Sequence, residues 1–227
     1  MRIIVVGSTK NDFIITPGRE QYLVEQQHTE LDVKNSMYCE LTGMYYLWKN
    51  TTDDIVGLEH YRRTFFDIYK NMPLDENAVK KYLSKYDVIM TFKNRDLNRK
   101  NLYDDLASHI TANGVEKTLS IIKDLYGNDE EQFYRNYLNR VEKHGFNLFI
   151  TTRDKFEKYA EWIFSILFDL DKISKLPLRS YGYVSEFLMN AFFEKQNYSI
   201  KALPILYREF GRQRLGTIDM AFADNYI

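Results

Sequence analysis

Thr51-Thr-Asp-Asp-Ile-Val-Gly-Leu-Glu-His-Tyr-Arg-Arg63 holds a turn, a strand and a charged cluster in one short run. The polar tetrapeptide at its start reads as the turn. Ile55 to Leu58 then reads as a short buried strand. Strands that alternate with helices imply a parallel or mixed sheet covered on both faces. In such sheets ligands bind beyond the carboxyl ends of the strands. Glu59-His60-Tyr61-Arg62-Arg63 follows the strand directly, which puts its polar groups at the mouth of a cleft.

The rest of the chain supplies the alternation. Arg2 to Val6 reads as a first buried strand ending in Gly7-Ser8-Thr9, and residues 10 to 35 are polar and irregular. A helix capped by Asn35 or Ser36 runs to about Asn50, with Leu41, Met44, Tyr45 and Trp48 on one stripe. A helix over Asp75–Lys85 and a strand over Asp87–Phe92 follow. Residues 93–143 are mostly helical, over Leu102–Ile110, Val115–Tyr126 and Glu130–Glu142. Gly145 to Ile150 reads as a strand and Arg153 to Leu170 as a long helix burying Phe156, Tyr159, Ile163, Ile166 and Leu167. A helix over Tyr183–Glu194 leads to a last strand, Ser199 to Leu203, stopped by Pro204. The expected fold class is α/β: a single domain over residues 1–227 with a compact mixed sheet flanked by helices and a helical insertion over 93–143.

Composition removes several classes of function. Lys plus Arg total 31 against 32 Asp plus Glu, so the basic excess of non-specific nucleic-acid binding is missing. One cysteine, Cys39, rules out an internal disulfide and suits a reducing compartment. The opening residues lack the apolar core and cleavage site of a signal peptide, and no apolar run approaches the roughly 20 residues of a membrane span. A cytoplasmic protein is expected. The 18 Tyr and 15 Phe suit stacking on bases and sugars, or simply an aromatic core. GxGxxG, P-loop, GxSxG and HExxH patterns are absent, which argues against dinucleotide oxidoreductases, ATPases, the usual serine hydrolases and zincins.

Three clusters remain as candidates. His60, Arg62 and Arg63 suit a diphosphate, because guanidinium gives forked, charge-assisted bonds to phosphate oxygens; surface ion pairs and a structural histidine are the other reading. Tyr38-Cys-Glu-Leu-Thr-Gly43 sits at a helix start, where anions or simple capping both fit. Arg179-Ser-Tyr-Gly-Tyr-Val-Ser-Glu186 joins a loop to a helix, where Glu186 is either a general base or part of a capping pair. His109, His144 and Asn147 are isolated polar residues beside apolar ones. Tyr207 to Arg214, with Arg208, Arg212 and Arg214 around Phe210, reads as a solvated tail or as a patch resting on anionic headgroups.

Asn35-Ser-Met-Tyr-Cys-Glu-Leu-Thr-Gly-Met-Tyr-Tyr-Leu-Trp-Lys-Asn50 followed by Val56-Gly-Leu-Glu-His-Tyr-Arg-Arg63 resembles the signature of a bacterial family long labelled a domain of unknown function. His109, Phe146 to Ile150, Tyr159 to Leu167 and Arg179 to Glu186 continue the likeness in order. That family is found in capsule, exopolysaccharide and lipopolysaccharide loci and is regarded as glycosyltransferases, galactofuranosyl transfer among the activities. The resemblance implies a GT-A-like fold, with residues 1–92 mainly binding nucleotide sugar and 144–227 carrying acceptor and catalytic groups. It implies transfer of a hexosyl residue, galactofuranosyl or galactosyl, from a UDP-sugar to a cell-surface or lipid-linked glycan, with inversion. Donor contacts are expected from Ser8, Thr9, Tyr38, Glu59, His60, Tyr61, Arg62 and Arg63. Glu186 is the expected base, with Glu40 in reserve; His109, Asn147, Arg179, Tyr181 and Gly182 fall to the acceptor side or to structure. Mn²⁺ or Mg²⁺ is a conditional cofactor: members often carry Cys where this chain has Glu59, the one ligand it offers there. A nucleotide-sugar hydrolase and a non-catalytic scaffold subunit are the competing readings.

Overall fold

The computed structural model describes residues 1–14, 16–209 and 212–216. β1 (Arg2–Gly7) and β2 (Glu20–Leu23) come first, followed by two short helices, α1 (Asn35–Tyr38) and α2 (Leu41–Asn50). β3 (Ile55–His60) turns through Tyr61 and Arg62 into β4 (Arg63–Asp67), which pairs with β5 (Met72–Pro73). α3 (Glu76–Leu83), β6 (Val88–Thr91) and β7 (Lys93–Asn94) lead into three consecutive helices, α4 (Leu102–Ile110), α5 (Ala112–Tyr126) and α6 (Asn128–Leu138). The chain returns through β8 (Lys143–His144) and β9 (Phe149–Thr152) to the long helix α7 (Arg153–Ile173). α8 (Ser180–Lys195), β10 (Ile200–Leu203), β11 (Ile205–Glu209) and β12 (Arg212–Gly216) follow.

The sheet runs β2-β1-β3-β9-β6-β10 and is mixed. β1 is parallel to β2 and β3, β10 is parallel to β6, and β9 runs antiparallel between β3 and β6. Past the turn at Tyr61, β4 extends the sheet by antiparallel pairing with β11, and β11 with β12. The ladder of β7 on β8 joins the two ends of the helical excursion.

Both faces of the sheet are buried, as the apolar runs of β1 and β3 require. Side chains alternate across a strand. Ile4, Val6, Val56 and Leu58 therefore face a core shared with α2, α7 and α8, while Ile3, Ile89 and Ile150 face a smaller one with Phe65 and Val79. Each such side chain contributes about 1.5–3 kcal/mol. α2 lies close against β1 because residue 43 is glycine: a Cβ there would stand 2.4 Å from Val6 Cγ2. Phe156, Tyr159, Ile163, Ile166 and Leu167 of α7 are fully buried. Among the described residues no helix is long and apolar enough to cross a membrane.

Several elements differ from expectation. The helix from Asn35 to Asn50 is two helices, broken at Cys39, whose φ of 53° no helix contains. The strand expected from Gly145 starts only at Phe149, because Phe146 and Asn147 have φ of 76° and 52°. Residues 10–35 contain β2, an edge strand. Tyr207–Glu209 and Arg212–Arg214 are not a tail: they pair antiparallel as parts of β11 and β12, while Phe210 and Gly211 lie outside the described residues.

Candidate functional site

Beyond the ends of β1 and β3 lies a cleft of about 310 Å³. Gly7, Ser8 and Asn11 come from the end of β1, and His60, Tyr61 and Arg62 from the β3–β4 turn. Ser36, Cys39 and Glu40 come from the broken helix, and Arg179 from the residue before α8. A narrow recess opens beside it, lined by Cys39, Glu40, Arg179, Gly182, Tyr183 and Glu186. Cys39, Glu40 and Arg179 line both.

Local sequence explains the geometry. At Gly7 a Cβ would meet Phe13 Cζ at 2.7 Å and Tyr61 Cβ at 2.9 Å, so only glycine lets the chain turn there. The Ser8 amide donates to Asn11 Oδ1 at 2.7 Å, and the Ser8 hydroxyl donates to Glu25. Cys39 (φ 53°, ψ −130°) and Arg179 (φ 68°) hold conformations that side chains seldom adopt. Such strain gathers at functional sites, and here it aims Glu40 and Arg179 into one space. The Arg179 amide donates to Ser36 O at 2.8 Å, tying the start of α8 to α1. Gly182 brings α8 close to Cys39, whose Cβ would lie 3.3 Å from an added methyl.

Guanidiniums and carboxylates share the space, with Arg179 and Glu40 lining both cleft and recess. Burial, then Arg63, Arg62 and Arg179, holds the His60 imidazole well below its usual pKa, so it is neutral at pH 7. His60 Nδ1 is buried without a hydrogen-bond partner. The Arg63 guanidinium lies 4.2 Å from the Phe146 ring centroid. Burial pushes the Glu40 carboxyl up and the facing Glu186 adds to it, while Asn147 and Arg63 oppose the rise. Glu186 forms an ion pair with Lys143. Burial and the neighbouring Glu40 push the Cys39 thiol up to about 11, against the pull of Arg179.

Several expected residues stand elsewhere. β3 runs two residues further than expected, to His60, so alternation sends Glu59 to the opposite face from His60. There its carboxylate accepts from Arg19 Nε and Nη2, both at 3.2 Å, from Thr64 Oγ1 at 2.8 Å and from the Phe65 amide at 3.1 Å. Tyr38 is fully buried against Tyr181, their ring centroids 4.7 Å apart. Tyr181 is buried too and donates to Asp171. Thr9 is exposed and outside the cleft lining. α8 begins at Ser180, so Glu186 sits within the helix, not at its cap, and Ser185 bonds Tyr159 and Asn147. His109 touches the recess only through Tyr183, on which it stacks at 3.9 Å. Asn147 is buried behind Glu40. Asn11 escaped the sequence reading, and Cys39, Ser36 and Tyr183 entered it only as members of longer runs with no site role of their own; backbone turns bring them to the cleft and recess.

The carboxylates that could hold a metal ion are otherwise engaged or isolated among the described residues. They contain no group of three or more His, Cys, Asp or Glu able to hold one. Glu59 is saturated by Arg19, Thr64 and Phe65. The chain's Asp-x-Asp, Asp169-Leu170-Asp171, lies in α7, where Asp169 pairs with Lys172 and Asp171 with Lys34.

The family model described as "Domain of unknown function (DUF4422)" matches residues 1–197, and the chain belongs to that family. No curated protein matches it. Among solved structures, the apo structure of the WbbM bifunctional glycosyltransferase is similar, with a TM-score of 0.80 at 20% identity. The likeness covers 98% of this chain and 47% of that one, so the chain spans about half the length of its structural relative. The two share the mixed α/β fold.

Proposed function

We propose that the chain is a glycosyltransferase moving a hexosyl residue, galactofuranosyl or galactosyl, from a UDP-sugar onto a growing cell-surface or lipid-linked glycan, with inversion at the anomeric carbon. One observation carries the reading: His60, Arg62 and Arg179 line one cleft together with Glu40, and the cleft passes Arg179 and Glu40 into a recess that also holds Glu186. Guanidiniums suit the diphosphate that leaves, and a carboxylate suits the acceptor hydroxyl that must lose a proton. The fold shared with the WbbM bifunctional glycosyltransferase supports the same reading.

In this account Ser8 and Asn11 contact the nucleoside and Tyr61 offers it a ring face. Arg62, Arg63 and Arg179 neutralise the diphosphate, and His60 Nδ1 hydrogen-bonds it as a neutral group. The acceptor enters by the recess, past Tyr183 and His109. Its oxygen attacks the anomeric carbon as the bond to UDP breaks, and UDP leaves with the electron pair. The chain works in the cytoplasm, at most peripherally at the inner membrane face, with guanidiniums in place of a resident metal. Incubation with a panel of UDP-hexoses and a glycan acceptor tests this: transfer that survives EDTA is expected. Free sugar released at full rate without acceptor would make it a hydrolase, and complete Mn²⁺-reversible loss in EDTA would overturn the metal-free diphosphate site.

A further inference from the structure

A line of buried polar groups runs from the core to Glu40. The Tyr159 hydroxyl of α7 meets Ser185 Oγ of α8 at 2.8 Å. Ser185 Oγ donates to Asn147 Oδ1 at 3.0 Å. With its oxygen accepting, the Asn147 amide can only donate from Nδ2, and it does so to Gly182 O at 2.9 Å and Glu40 Oε1 at 3.1 Å. Tyr159 and Ser185 are 0% exposed and Asn147 is 1% exposed, whereas Glu40 reaches the cleft. Two consecutive left-handed residues, Phe146 and Asn147, bring this amide inward just before β9; asparagine tolerates that region better than most residues. Glu186 is placed differently: Lys143 holds it in an ion pair.

Resting on the glycosyl-transfer reading, we propose that Glu40 is the catalytic base and that Asn147 is the residue that positions it. Asn147 holds Oε1, and Oε2 takes the proton of the acceptor hydroxyl as that oxygen bonds the anomeric carbon and UDP departs. Water then removes the proton from Glu40. The groups facing Glu40 are Glu186 and Arg179 from α8 and its junction, Arg63 from β4, and Cys39 from the helix break. Burial raises the Glu40 pKa most, and the facing Glu186 adds to the rise. A carboxylate raised toward the working pH is a better base.

Carbon-detected titration of ¹³C-glutamate-labelled protein tests the positioning directly, with Glu40→Gln assigning the Glu40 carboxyl signal. A donated hydrogen bond favours the charged carboxylate. Asn147→Leu should therefore move the Glu40 pKa upward, and Ser185→Ala, which frees the amide to turn, should move it the same way by less. In transfer from a UDP-hexose, Asn147→Leu should lower kcat about 10²-fold, the scale of a small misplacement. The acid limb of kcat/KM should move up with it, and KM for the donor should stay unchanged. If the wild type transfers sugar and the Glu40 signal is unmoved in both variants, the role of Asn147 is overturned while the transferase reading stands. If Asn147→Leu fails to fold, Ser185→Ala alone decides by the same signal. A wild type without transfer on any UDP-hexose overturns the base assignment together with the function it rests on.

Discussion

His60 is neutral because burial, and after it three guanidiniums, oppose its charge. A diphosphate bound there would offset the guanidiniums' share of that opposition, so the complex would take up a proton more readily than the free protein. Affinity for a UDP-hexose should consequently rise as pH falls through the interval between the two His60 pKa values. His60→Asn should flatten that slope, and isothermal titration between about pH 5 and 8 reads it. A slope unchanged in His60→Asn would remove the imidazole from the site. Cys39 lines the cleft, yet its thiol is held at about 11. Alkylation by iodoacetamide should be slow at pH 7.5 and accelerate toward that value, and a bound UDP-sugar should protect it; fast labelling at neutral pH would contradict the burial argument. Glu59 looked like a ligand in the sequence because it precedes His60 beyond an apolar run. Two more residues of β3 turn it to the other face and give it to Arg19, the pair being 0% and 2% exposed. Arg19→Met leaves a buried charge alone and should cost about 3–5 kcal/mol of stability by urea unfolding.

At the scale of elements, the buried runs of β1 and β3 and the stripes of α2 and α7 were legible, because apolar periodicity reports burial. The breaks were not. Nothing in Tyr38-Cys39-Glu40 marks a left-handed residue, since the strain at Cys39 is imposed by packing between α1, α2 and the start of α8. Phe146 and Asn147 are the same case. The recess was therefore legible only as scattered polar residues: Glu40, Asn147 and Arg179 lie far apart in sequence and meet only in the fold. Gly43 shows the reverse, a small residue whose meaning appears only against Val6. Gly43→Ala places a methyl 2.4 Å from Val6 Cγ2 and should cost about 1–3 kcal/mol. A melting temperature equal to the wild type would show that α2 can move away from β1 freely.

Over the whole molecule, one arrangement links fold to function. The parallel strands β1 and β3 end side by side, with Val6 opposite His60, and the cleft opens where they stop. Helix α8 then brings Arg179 and the recess to the same rim. In the proposed function this cleft grips a nucleoside diphosphate through its guanidiniums. Isothermal titration of UDP-hexoses into the wild type, Arg62→Ala and Arg179→Ala measures that grip. Each charge-assisted bond is worth about 1.5–3 kcal/mol, so each variant should bind about 10- to 100-fold more weakly. Equal affinity in all three proteins, or no binding of any UDP-hexose to the wild type, would contradict it.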